Sequence, residues 1–152
     1  IGSDVAGEAD KRGAGFENYC RLNQADYEAI YLRDEDTIEP FFRYLEDHLQ
    51  NGRPDYDGIF CSTDQLAVII RSKLESLGIR VPEDVQLIGF DGMKEPMTGR
   101  FYCSTIVQPI PAIAETAVSL LLSKDRSSLP ALMALPVHYE AHGTTREPDN
   151  GQ

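Results

Sequence analysis

Two apolar runs of this chain end in residues that can hold a ligand. "VPEDVQLIGFD" closes on Asp91, and "GIFCSTD" closes on Thr63 and Asp64. A carboxylate at such a place accepts hydrogen bonds from hydroxyl or amine donors, and a threonine hydroxyl both donates and accepts. Other chemistry is poorly represented. His48, His138 and His142 share no metal-ligand spacing with a thiol or carboxylate partner. Ser62 lies outside any GxSxG elbow, no glycine-rich phosphate loop is present, and no two acids pair in a hydrolase arrangement. The residues therefore predict binding without a catalytic centre, a metal or a cofactor.

The elements that must position these groups alternate. Ala6 to Asn23 is predicted as a first helix with Phe16, Tyr19, Cys20 and Leu22 on its apolar face, weakened by Gly13 and Gly15. "YEAIYL" (27–32) reads as a strand. A helix follows, capped by Asp36 or Thr37, tolerating Pro40 in its first turn and aligning Phe41, Phe42, Leu45 and Leu49; Asn51-Gly52 is expected to close it. "YDGIFC" (56–61) is the next strand. Ser62 or Thr63 then caps a helix from Asp64 to about Leu77, stopped by Gly78 and apolar on more than one side. "VQLIGF" (85–90) and "STIVQP" (104–109) are further strands, a helix spans about Pro111 to Leu122, and "LPVHYEAHG" (135–143) is a last extended segment. This rhythm predicts an α/β fold with a parallel sheet flanked by helices on both faces. Open sheets of that kind bind ligands beyond the carboxyl ends of their strands, where Thr63, Asp64 and Asp91 stand.

Composition narrows the classes. The 152 residues carry 14 Lys+Arg against 25 Asp+Glu, a formal charge of −11, and the basic residues are scattered. Duplex binding rests on neutralising phosphates, so this chain by itself is not a DNA-binding module. Three dispersed cysteines without a CxxC pair predict buried thiols in a reducing, cytoplasmic setting. No apolar run approaches a membrane span, so no membrane partner is expected. The opening Ile-Gly reads like the tail of a strand, as though the chain were cut from something longer.

"GIFCSTDQLAVIIRSKLESLGIRVPEDVQLIGFDG", "STIVQP" and "LPVHYEAHGTTR" together resemble the effector-binding domain of LacI/GalR-family transcriptional repressors, from about Arg12 to Arg146. The resemblance implies the C-terminal lobe of a periplasmic-binding-protein-like domain: residues 1–108 and 132–146 in that lobe, 109–131 a crossover into a first lobe, and 147–152 a loose tail. It implies a small-molecule effector, a mono- or disaccharide, a homodimer, and operator DNA bound only through an N-terminal domain absent from this chain. The alternative function is a solute-binding protein of a sugar transporter.

On the same resemblance, Asp91 hydrogen-bonds effector hydroxyls, and Arg12, in "RGAGF", reaches into the cleft. Thr63 and Asp64 stand where the family has Asn-Asp, and Gln108 lies at the lobe crossing. Gly92 replaces a second acid often found after "GFD". Asp34 and Asp36 are either hydroxyl acceptors or a solvated loop with a helix cap. The seam between two copies is expected at Val68, Ile69, Arg71, Ser72, Leu74 and Glu75, with Phe101, Tyr102 and Cys103 opposite. The apolar face of the crossover helix (Ile113, Ala117, Leu120, Leu121) is expected to be exposed or covered by another chain.

Overall fold

The computed structural model describes residues 2–4, 11–33, 37–124, 130 and 132–147. Its elements follow the chain as β1 (Gly2–Asp4), α1 (Lys11–Leu22), β2 (Tyr31–Arg33), α2 (Glu39–Asp47), β3 (Leu49–Gln50), β4 (Arg53–Pro54), β5 (Gly58–Phe60), α3 (Asp64–Ser76), β6 (Gln86–Asp91), β7 (Thr105–Val107), α4 (Ile110–Leu122) and β8 (His138–Glu140). The central sheet has the order β5-β6-β7-β8. β5, β6 and β7 run parallel, and β8 joins β7 antiparallel. A separate parallel pair joins β1 to β2.

Strand alternation assigns the two faces of the sheet. Register places Ile59 beside Leu87 and Gly89 beside Thr105. Ile59, Leu87 and Thr105 are buried beneath α2 and α3, among Phe41, Leu45, Ile70 and Leu74. The opposite face carries Phe60, Ile88, Phe90 and Ile106, in register. There α1 lies over the sheet: the Phe16 ring stacks on Phe60 at 5.4 Å and 10°, and the Arg12 guanidinium sits 4.2 Å above Phe90. Helices therefore cover both faces, as continuous apolar strands require.

Helix α3 shows how its wide apolar stripe divides. Ala67, Ile70 and Leu74 turn inward and are buried, whereas Val68 and Ile69 are 38% and 43% exposed. Thr63 is its N-cap, accepting a hydrogen bond from the Leu66 N–H at 3.2 Å, and Gly78 takes the positive φ of 78° beyond its end.

Several local expectations are corrected. Of the predicted apolar face of α1 only Cys20 is buried; Tyr19 and Leu22 are largely exposed. The N-cap of α2 is Ile38, with no side-chain cap bond, rather than Asp36 or Thr37; the Thr37 hydroxyl accepts from the Glu39 N–H just inside the helix at 3.4 Å. Asn51-Gly52 does not close α2, which ends at Asp47. With φ of 53° and 76° the pair forms the two-residue turn between β3 and β4, the left-handed geometry that Asn-Gly supplies at least cost. "YEAIYL" pairs as a strand only from Tyr31. Finally, no residue of α4 is buried, and Ile110, Val118, Leu121 and Leu122 are each more than half exposed.

Candidate functional site

The carboxyl ends of β5, β6 and β7 meet the start of α1. Asp91 is the last residue of β6, and one of its carboxylate oxygens, Oδ1, receives two donors: Arg12 Nη2 at 3.1 Å and Gln108 Nε2 at 2.7 Å. Arg12 Nη1 also donates to the Ser62 carbonyl at 2.6 Å, in the turn between β5 and α3. Arg12, Asp91 and Gln108, named from three distant parts of the chain, thus form one constellation, with Thr63 adjoining it through Ser62. Among the described residues nothing bonds Oδ2 of Asp91, which leaves an acceptor for a ligand hydroxyl. The Arg12 and Asp91 side chains retain 32% and 26% of their exposure, so the pair is open to solvent on one side.

Asp91 is held in an unusual backbone state. Its φ is +126°, a region that favours glycine. Such positions persist where their surroundings over-determine them, and they gather at ligand sites. The surroundings here are Asp64 and Thr105. Asp64 is fully buried, and its carboxylate accepts from the Met93 N–H at 2.6 Å, the Thr105 hydroxyl at 2.6 Å and the Cys103 thiol at 3.6 Å. Thr105 in turn accepts from the Gly92 N–H at 3.3 Å. The acid at the start of α3 therefore ties down the turn that carries Asp91.

This placement corrects the assignment of Asp64 as a ligand contact. Its oxygens are committed to three donors inside the protein, and solvent does not reach it. Thr63 keeps a half-buried hydroxyl at the rim; its oxygen serves the helix cap, and its proton is not used by that bond. The glycine at 92 also has a physical reason. A Cβ there would stand 2.8 Å from Val107 Cγ1, and φ is +79°, so an acid at that position would be both crowded and strained. Asp34 and Asp36 lie outside the described residues.

Sequence reasoning missed Phe90 as the platform under Arg12, although it precedes Asp91 and must point to the opposite face. Thr105 and the Ser62 carbonyl were likewise not singled out. Among the described residues no group of three His, Cys, Asp or Glu could hold a metal ion.

The predicted seam residues are divided by the fold. Val68, Ile69, Ser72 and Glu75 face outward, Arg71 less so, and Arg71 and Glu75 pair at 2.8 Å along α3. Phe101 and Tyr102 are half-buried, with Phe101 stacked on His142 at 4.3 Å and under Lys94 at 4.4 Å. Leu74 and Cys103 are corrections: at 0% and 1% exposure they belong to the chain's own core and present nothing to a second copy.

Comparison with known proteins agrees with this geometry. Residues 1–130 match the periplasmic binding protein-like domain. The sucrose operon repressor of Pediococcus pentosaceus is 30% identical over 122 residues, 80% of this chain and 37% of that protein. A LacI family transcriptional regulator from Lactobacillus casei, solved with bound sucrose, superposes with a TM-score of 0.67 at 19% identity, over 95% of this chain and 55% of that one. The lac repressor dimer bound to operator superposes with a TM-score of 0.64 at 25% identity, over 87% and 46%. The chain spans about half the length, or less, of these relatives. Among the described residues no helix is long and apolar enough to cross a membrane. Taken with the sheet order and the rim of Arg12, Asp91 and Gln108, the match over residues 1–130 means that the chain belongs to the periplasmic binding protein-like domain family, among the LacI-type regulators.

Proposed function

We propose that this chain is the effector-sensing and dimerising part of a LacI-type transcriptional regulator, and that its effector is a mono- or disaccharide. The observation that carries this reading is the convergence of Arg12 and Gln108 on one oxygen of Asp91 at the carboxyl rim of the sheet. A guanidinium fork and a carboxylate are the pair that grips neighbouring sugar hydroxyls, one donating and the other accepting. Phe16, Phe60 and Phe90 supply apolar rings on the same face of the sheet as Arg12. The sucrose bound in the Lactobacillus casei regulator and the operator bound by the lac repressor support the same assignment.

In this reading residues 109–131 cross to a first lobe, which covers the exposed apolar side of α4, and the chain returns at 132–146. A sugar held between the lobes favours one relative orientation of them, by no more than its difference in affinity for the two states. DNA is reached through an N-terminal domain outside this chain, consistent with the charge of −11. Two copies meet through Val68 and Ile69 of α3, with Phe101 and Tyr102 opposite.

The test is a thermal-shift screen of the full-length regulator against mono- and disaccharides, repeated with Asp91→Ala. Stabilisation by one sugar that disappears in Asp91→Ala is the expected result. A sugar response that survives Asp91→Ala unchanged refutes the site.

A further inference from the structure

A cavity of about 590 Å³ lies on the side of β5 away from β6, remote from the Asp91 rim. One wall is the stretch holding Tyr27, Glu28 and Ile30, and the facing wall is the approach to β5 and the strand itself, Asp55 to Phe60. Phe16 of α1 and Leu45 of α2 also line it, from the two helices that cover opposite faces of the sheet.

The ladder registers explain its shape. β1 and β2 are parallel, with Gly2 opposite Tyr31, so a chain continuing β1 from its amino end would run past Ile30, Ala29, Glu28 and Tyr27 in turn. Those residues form the cavity wall. They carry a strand-like sequence yet have no regular structure, and pairing starts only where β1 starts. On the other wall, the Asp57 carbonyl and the Cys61 N–H bond to β6. Backbone groups of successive residues in a strand point to alternate edges, so those of Gly58 point toward the cavity. The Tyr56 hydroxyl is buried at the same place with no hydrogen-bond partner among the described residues, and a buried orphan of that kind marks a missing neighbour.

We propose that this cavity is the berth of a β-strand: the polypeptide that continues β1 from its amino end, inserted parallel between residues 27–30 and β5, joining the β1-β2 pair to the central sheet. With Phe16 on one side and Leu45 on the other, the inserted strand is covered on both faces and carries a continuous apolar run. Four residues at about 3.3 Å each span the 27–30 wall. The proposal rests on the reading of the chain as part of a longer regulator, but its test involves neither sugar nor DNA, so either can fail without the other.

The experiment compares three forms of the chain by amide hydrogen exchange: as it stands, extended ahead of Ile1 by Val-Ile-Val-Ile-Val, and extended by Gly-Ser-Gly-Ser-Gly. The apolar extension is expected to slow exchange at residues 27–30 and at Gly58 by about tenfold or more over the Gly-Ser form, because those amides enter a ladder. Gly58→Pro in the apolar form removes the edge donor and is expected to abolish the protection at 27–30; a Cβ at 58 meets only ordinary contacts, the nearest at 3.7 Å. Equal exchange in the apolar and Gly-Ser forms overturns the proposal. Protection in the unextended chain that rises with concentration also overturns it, assigning the edge to a second copy.

Discussion

Arg12 and Asp91, 79 positions apart in the chain, stand 3.1 Å from each other at the carboxyl rim of the sheet, and Gln108 reaches the same Asp91 oxygen at 2.7 Å. The carboxylate that closes "VPEDVQLIGFD" is therefore pre-oriented by two donors before any ligand arrives. Pre-orientation lowers the ordering cost of binding.

Asp91 carries both the grip and the strain. Asp91→Ala is expected to weaken binding of the responsive saccharide by about 10- to 100-fold, the equivalent of a charge-assisted hydrogen bond of about 1.5–3 kcal/mol. Asp91→Gly should lose binding equally yet raise stability relative to Asp91→Ala by about 1 kcal/mol, because glycine adopts φ of +126° without a Cβ penalty. Calorimetric titration and urea denaturation of the two variants separate these effects.

Asp64 acts beneath the site. Asp64→Asn replaces an acceptor of three internal donors by a group that is half donor, and should destabilise the fold by about 2–3 kcal/mol in urea denaturation. Gly89→Ala attacks the same point from the sheet. Its Cβ would lie 2.2 Å from Asp64 Oδ1 and 3.0 Å from Cys103 Sγ, so a loss of about 2 kcal/mol or more is expected. A variant at either position as stable as the parent would show that this buttress is dispensable.

Stability should decline on the alkaline side. Burial pushes the Cys61 thiol up to about 12, and burial reinforced by the Asp64 carboxylate does the same at Cys103. The folded protein thus keeps protons that the unfolded chain releases from about pH 8.5. The contribution is fully present below that pH and is lost between it and about 12, at about 1.4 kcal/mol per pH unit for each thiol. Tyr56, raised by burial and by Asp55 to about 12, adds to the slope above about pH 10. Urea denaturation between about pH 8 and pH 10 measures the decline, and Cys61→Ala should make it shallower.

The outward edge of α3 offers a contrast between neighbours. Val68→Glu should leave a folded monomer in sedimentation, since Val68 is 38% exposed. Leu74→Glu, with its side chain fully buried, should instead abolish folding. An unaltered dimer in Val68→Glu refutes the seam.

The order of the elements, the covered parallel sheet and the strand-end position of Asp91 were legible in the sequence, because they follow from apolar periodicity and from caps and turn residues a few positions away. Thr63 as the cap of α3 and Gly78 as its stop depend on local chemistry of that kind. Relations between distant residues were not legible. Nothing near Asp64 reveals that its carboxylate is used up by Met93, Thr105 and Cys103, and nothing near Leu74 separates it from Ile69 except the direction in which α3 rolls onto the sheet. The Asn51-Gly52 pair suits a helix end and a hairpin equally, and the pairing of β3 with β4 decided between them. The sequence by itself determined which residues could bind; packing decided which of them meet, since hydrogen bonds among residues up to 79 positions apart exist only once the sheet has brought three strand ends together.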